Sequence, residues 1–215
     1  MDAGDHRVHM SLQRLGLFGG LFAPILWLAL IATAGAITPH FDHTNHYISE
    51  LAARGSATET WMRVVAFGFT GFLYVCFAAG LAATMPRTLA VLIACALIAV
   101  EGFGRIGAGV FACDPGCVRM SSTQDVHKLF ATIGFVSGII AALVWGILFR
   151  TLTRTERLSP LSIACGLIAA VALILMSWDG NPVRTPGFFE HLATVVLSVW
   201  IFLFAAAALR HDVRH

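Results

Sequence analysis

The sequence predicts an all-α fold, a polytopic membrane helix bundle of six transmembrane helices with both termini cytoplasmic. Three observations carry that expectation. Hydrophobic residues make up 58% of the chain and charged residues only 12%, about half the ~25% charge of an ordinary soluble domain. Uninterrupted apolar runs occur at about 15–38, 61–84, 88–112, 127–149, 159–178 and 189–209, each close to the ~20 residues that carry a helix across ~30 Å of hydrocarbon. The ~10-residue alternating segments of a membrane barrel are missing, so strands are rejected. Six closely spaced spans in 215 residues leave no length for a second folded unit, and residues 1–215 read as a single transmembrane domain.

The first run follows Arg7 and Arg14 and ends near Ala34-Gly35-Ala36, a small-x-small pattern resembling a signal-peptide cleavage site. Its apolar length exceeds the ~7–15 residues of a signal core, so it is read as a span. Behind it comes HFDHTNHYISE, His40 to Glu50, with three histidines, an aspartate and a glutamate. Asp42, His46 and Glu50 are four apart and share a face if the segment is helical. Tyr47, Ile48 and Leu51 supply apolar anchors that a freely hydrated loop does not need. The segment is therefore expected to close as a lid, with His46, Ser49 and Glu50 turned toward His127 and Glu190. Gly55 ends this short element, and Ser56-Ala-Thr-Glu59 reads as a capping box for the second span.

The third span contains EGFGRIGAGVF. Glu101 and Arg105 are in the favoured i, i+4 order for an ion pair, about 10 to 16 Å below the outer end at 1.5 Å per residue. Ionisable groups at such depth face the bundle interior or a wet cavity. Gly102, Gly104, Gly107 and Gly109 permit close approach of neighbouring backbones. CDPGC follows, a tight-turn sequence that brings Cys113 and Cys117 together. A disulfide is the favoured state in an oxidising compartment, with free thiols and metal thiolates as alternatives. Ser121-Ser-Thr-Gln124 reads as a second capping box, placing His127 near the start of the fourth span. Thr185-Pro186 starts the sixth, with Glu190 and His191 near its first turn.

Lys and Arg set the orientation. With a cytoplasmic N-terminus, eight of the fourteen lie inside (Arg7, Arg14, Arg87, Arg150, Arg154, Arg157, Arg210, Arg214), five lie outside, and Arg105 is within a span. The loops carrying His40, His43, His46, Asp114, His127, Asp179, Glu190 and His191 then share the outer face. A net charge of +2 without a basic tract gives no electrostatic case for nucleic-acid binding.

NHYISELAARG from Asn45 to Gly55, CDPGC, and the histidine at His127 resemble the bacterial and archaeal membrane family catalogued as DUF998, over roughly Leu15 to Leu209. The resemblance implies six spans and brings no established chemistry. In that family the sixth span often opens with Gln or Glu followed by Arg, whereas here the pair is Glu190-His191.

Several functions fit these residues. The leading expectation is a histidine- and carboxylate-lined cavity at the extracytoplasmic face of the inner membrane, with Glu101, Arg105, Asp114, Glu190 and His191 as lining, binding or moving a lipid-like or other small ligand. The alternative is a zinc-dependent membrane hydrolase, with His46, Ser49, Glu50 and His127 as catalytic candidates and His46, His127, His191 and Glu190 as candidate ligands. Its layout is similar to that of the alkaline-ceramidase and progestin-receptor-like hydrolases, whose sites combine histidines, an aspartate and a serine near a membrane face. Haem ligation by His127 and His191, and a structural or regulatory membrane role, complete the range. Membrane lipid is the expected partner; composition leaves the oligomeric state open.

Overall fold

The computed structural model describes residues 3–152, 155–178 and 180–212, with side chains over 13–152, 155–178 and 180–210. Of the residues weighed above, Arg154, Asp179, Arg214 and the side chain of Arg7 lie outside these ranges. The described residues form no strand. Six helices are long and apolar enough to cross a membrane: α1 (Ala3–Ile37), α2 (Glu59–Thr84), α3 (Leu89–Val110), α4 (Ser122–Leu148), α5 (Leu158–Ser177) and α6 (Pro186–Asp212). The helices extend furthest beyond the apolar runs at two starts, α1 at Ala3 rather than near 15 and α4 at Ser122 rather than near 127. Hydropathy marks only the part of a helix that lies in hydrocarbon, and the first turn of α4 is polar.

Each helix packs chiefly on its neighbours in sequence, and α6 returns to α1, so the six close into a ring. Small residues set the tightest contact. A Cβ on Gly104 would stand 2.5 Å from the Gly134 Cα, so α3 and α4 meet backbone to backbone, as helices without a hydrophobic drive between them often do. Within α2, Met62–Phe69 is π-helical, a distortion often found beside functional sites.

The loops after α1, α3 and α5 share one face of the ring, and the start of α1 at Ala3 and the end of α6 at Asp212 lie toward the other. Toward the terminal face the interior is filled by Phe77, Trp145, Phe149, Trp200 and Phe204. Phe204 lies 4.6 Å from Trp145 and 4.8 Å from Phe149 between ring centroids. Toward the loop face a second cluster joins Trp27, Ile31, Met62, Phe67 and Ala108 to Ile48, Leu51 and Ala52 of the first loop.

That loop closes the ring. Ile48–Ala52 is a short 3-10 turn whose Ile48 and Leu51 are buried among the helices. The Leu51 carbonyl accepts hydrogen bonds from the Ser56 and Thr58 hydroxyls at 2.7 and 2.6 Å, and Arg54 N–H donates to the Cys113 carbonyl at 3.1 Å. Asp42, His46 and Glu50 do not share one helix, because the turn begins only at Ile48. Two expected caps also differ. Glu59 accepts from Gly55 N–H at 2.8 Å rather than from Ser56. Gln124 accepts from Asp114 N–H at 2.8 Å and the Ser121 hydroxyl donates to Asp114 at 2.9 Å, so both serve the CDPGC loop instead of each other.

Candidate functional site

Between the two apolar clusters the ring holds charge. Arg105 Nη2 lies 3.2 Å from Glu101 Oε1, the geometry that one helical turn gives to an i, i+4 pair. The guanidinium is clamped between two aromatic faces, 4.6 Å from the Trp27 ring centroid and 4.6 Å from that of Tyr74. Rings from α1 and α2 thus hold a cation of α3 by its flat sides. Gly138 of α4 makes room for the acid, since a Cβ there would stand 2.7 Å from Glu101 Oε2.

The pair is only half satisfied. Glu101 Oε2 and Arg105 Nη1 are buried and have no hydrogen-bond partner. Both residues line a cavity of about 50 Å³ shared with Ser49, His127, Glu190 and Thr194 and walled by Trp27 and Phe67. At roughly 10–15 Å³ per probe sphere, that is room for a few waters or a group of similar size. It does not hold an acyl chain.

His127 enters from α4 with a defined tautomer. Its Nδ1 lies 3.0 Å from the Ala108 carbonyl and 2.9 Å from that of Phe111. Carbonyls only accept, so Nδ1 carries the proton and the neutral ring keeps an acceptor lone pair on Nε2. Ala108 lies in the last turn of α3 and Phe111 caps its end, so no further helical N–H follows to take these carbonyls.

Glu190 connects the cavity to the lid. Its Oε2 accepts the Ile48 N–H at 2.7 Å, the buried first N–H of the 3-10 turn, which the turn itself leaves without a backbone acceptor. Ser49 lines the cavity, and its hydroxyl lies 3.2 Å from Cys117 Sγ. Cys113 and Cys117 are joined as a disulfide across the turn, with Cα atoms 5.1 Å apart. Gly116 takes the left-handed conformation that the turn requires, at φ 64°.

The other sequence candidates lie around this centre. His46 and Glu50 line a shallow depression on the outside of the lid. Glu50 accepts the Tyr47 N–H at 2.8 Å, and His46 Nδ1 accepts the Asp42 N–H at 2.9 Å. Burial pushes the Tyr47 phenol up from its ordinary value, while the Thr44 N–H holds Asp42 below the usual carboxylate range. Asp114 is buried under the CDPGC loop, where hydrogen bonds from Met120 N–H and from Ser121 hold its carboxyl low. His191 Nε2 lies 2.8 Å from His43 Nδ1 of the first loop, and the His191 Nδ1–H donates to the Gly187 carbonyl at 2.8 Å.

Zinc requires three or more protein ligands in a catalytic site. Among the described residues no group of three His, Cys, Asp or Glu side chains is placed to hold a metal ion, so these residues do not fit a resident zinc.

Trp27, Tyr74, Phe67 and Thr194 carry no sequence signal that separates them from other residues of apolar spans, and only the fold brings them to the site. His43 is one of three histidines in its loop, and nothing local selects it as the partner of His191.

Residues 21–207 match the model of the family described as "Protein of unknown function (DUF998)". No curated protein and no solved structure matches the chain.

Proposed function

We propose that this chain, which belongs to the DUF998 family, is a multi-pass protein of the cell (inner) membrane that binds a small ligand in the cavity between Glu101, Arg105, His127 and Glu190, beneath the Ile48–Ala52 lid. One observation carries the reading. A buried carboxylate oxygen of Glu101 and a buried guanidinium nitrogen of Arg105, both without partners, belong to two residues that line the same cavity. Each uncompensated group costs about 1–3 kcal/mol or more, and a bound molecule or ordered water that met both recovers that cost. The cavity volume favours a small polar molecule or the head of a membrane lipid over a whole lipid.

The loop face is the side of entry. The lid there is a single short turn seated by Ile48 and Leu51 and a few hydrogen bonds, whereas the terminal half is closed by interlocked rings. With the charge bias of the sequence, that face is extracytoplasmic. Sequestration or sensing fits a site with one entrance better than conduction through the bundle does.

The test is native mass spectrometry of protein extracted from its own membrane, beside an Ala131→Leu variant that thickens the cavity wall. Wild type should carry a small adduct released on denaturation, and the variant should lose it while keeping its thermal midpoint within a few degrees. Identical adduct profiles for both would remove the cavity from the account.

A further inference from the structure

We infer that the cavity selects a protonated primary amine on a short chain that also offers an oxygen acceptor, about four heavy atoms in all. This rests on the reading of the cavity as a ligand site and adds the chemistry of what it takes. The lining is rich in acceptors. Glu101 and Glu190 contribute two carboxylates against one guanidinium. Glu101 Oε2 has no donor, and His127 presents an acceptor nitrogen because its Nδ1–H is committed to the Ala108 and Phe111 carbonyls. Ser49 and Thr194 hydroxyls adapt to either role.

Each competing class leaves something unmet. An anion would face two carboxylates, and the guanidinium that might attract it is already paired with Glu101. A quaternary ammonium has no N–H for Glu101 Oε2, and the Trp27 and Tyr74 faces that would receive it hold Arg105. A bare metal ion leaves Arg105 Nη1 without an acceptor. A primary ammonium supplies three N–H donors for the acceptor wall, and an oxygen two carbons away answers Arg105 Nη1. The size agrees with about 50 Å³. This chemistry occurs in a free amino alcohol and in the amine-bearing head of a membrane lipid.

The experiment is calorimetric titration of the purified chain in phosphatidylcholine nanodiscs with ethanolamine, ethylene glycol, acetate and tetramethylammonium. Ethanolamine should bind one per chain and at least about tenfold more tightly than the other three. Glu190→Gln keeps an oxygen for the Ile48 N–H and removes the charge; it should weaken ethanolamine about tenfold or more, as loss of a charged hydrogen bond does. Asp125→Asn, on a carboxylate paired with Arg119 outside the cavity, should leave affinity unchanged. Nanodiscs containing phosphatidylethanolamine separate the two sources: a competing head raises the apparent Kd of free ethanolamine, and an unchanged Kd assigns the site to the free amine. Equal binding of acetate or ethylene glycol overturns the amine inference and leaves the ligand site standing. Should none of the four bind and native mass spectrometry show no adduct, the site reading falls as well. The wild-type selectivity series decides the matter even where Glu190→Gln does not fold.

Discussion

Around Phe204 the six helices close on tilted and edge-on rings from α2, α4 and α6. Around Arg105, nearer the loops, α1, α2, α3, α4 and α6 enclose an ion pair, an imidazole, a second carboxylate and a cavity. The terminal half is filled by rings, with the Trp145 and Trp200 indole N–H groups also lacking partners, while the loop half keeps a cavity and an ion pair with an unpartnered atom on each side. Lipid supplies no water to a buried charge, and a charge costs far more to bury than a neutral indole N–H, so an incompletely paired ion pair in a membrane protein is retained for something other than stability. The contrast assigns the terminal half to holding the bundle and the loop half to function.

The largest effect should come from breaking the charged pair on one side only. Arg105→Met strips Glu101 of its single partner and should cost about 3–5 kcal/mol, as half of a buried ion pair does. Replacing both, Glu101→Leu with Arg105→Met, should return stability to near wild type or above it while removing ligand binding. Thermal unfolding of the three variants measures this. A double variant as unstable as the single one would make the pair a structural element and erase the contrast.

The ring cluster is next. Trp145→Ala opens a void among Phe149, Phe204 and the α5 wall and should cost about 3 kcal/mol. That is the low end for such a truncation, because in a bilayer the loss is packing rather than transfer from water. Ligand affinity should be unchanged, since Trp145 does not line the cavity. A large change in affinity at constant fold would couple the two halves.

What the sequence reveals follows the same division. Continuous apolar length marks every span, and charge in an apolar run marks Glu101 and Arg105, because both signals are local. The use of Gln124 is not visible, since its partner Asp114 lies ten residues away and reaches it only when the CDPGC loop folds. The cavity walls are hidden for a related reason. A tryptophan that stacks on an arginine and one that fills a core are the same letter in an apolar run, and only helix rotation separates Trp27 from Trp145.

A smaller effect is expected between α4 and α5, where the Ser162 hydroxyl donates to the Ala142 carbonyl at 2.7 Å. Ser162→Ala should cost about 0.5–1 kcal/mol, the scale of interhelical hydrogen bonds in membranes. Within measurement error of zero, it would show that ring packing alone fixes these helices.

The smallest and most specific effect is acid loosening of the loop half. Asp114 accepts the Met120 and Ser121 N–H groups at 2.9 and 2.7 Å and the Ser121 hydroxyl at 2.9 Å, with Arg54 at 3.7 Å. The Met120 N–H is the chief cause that holds its carboxyl below the ordinary value. A depressed carboxylate contributes stability that is fully present above its unfolded value of about 3.9 and is lost as pH falls through the lower folded value. Asp114→Asn keeps an acceptor for the two N–H groups and offers an N–H to Ser121, so the loop retains its shape and loses only the charge. Wild type should therefore unfold at a higher temperature than Asp114→Asn at neutral pH, and the gap should narrow steadily below about pH 4. The void-forming Trp145→Ala should show no such convergence, because the rings around it do not titrate. A gap between wild type and Asp114→Asn that stays constant into acid would mean that the loop is held by shape and not by charge.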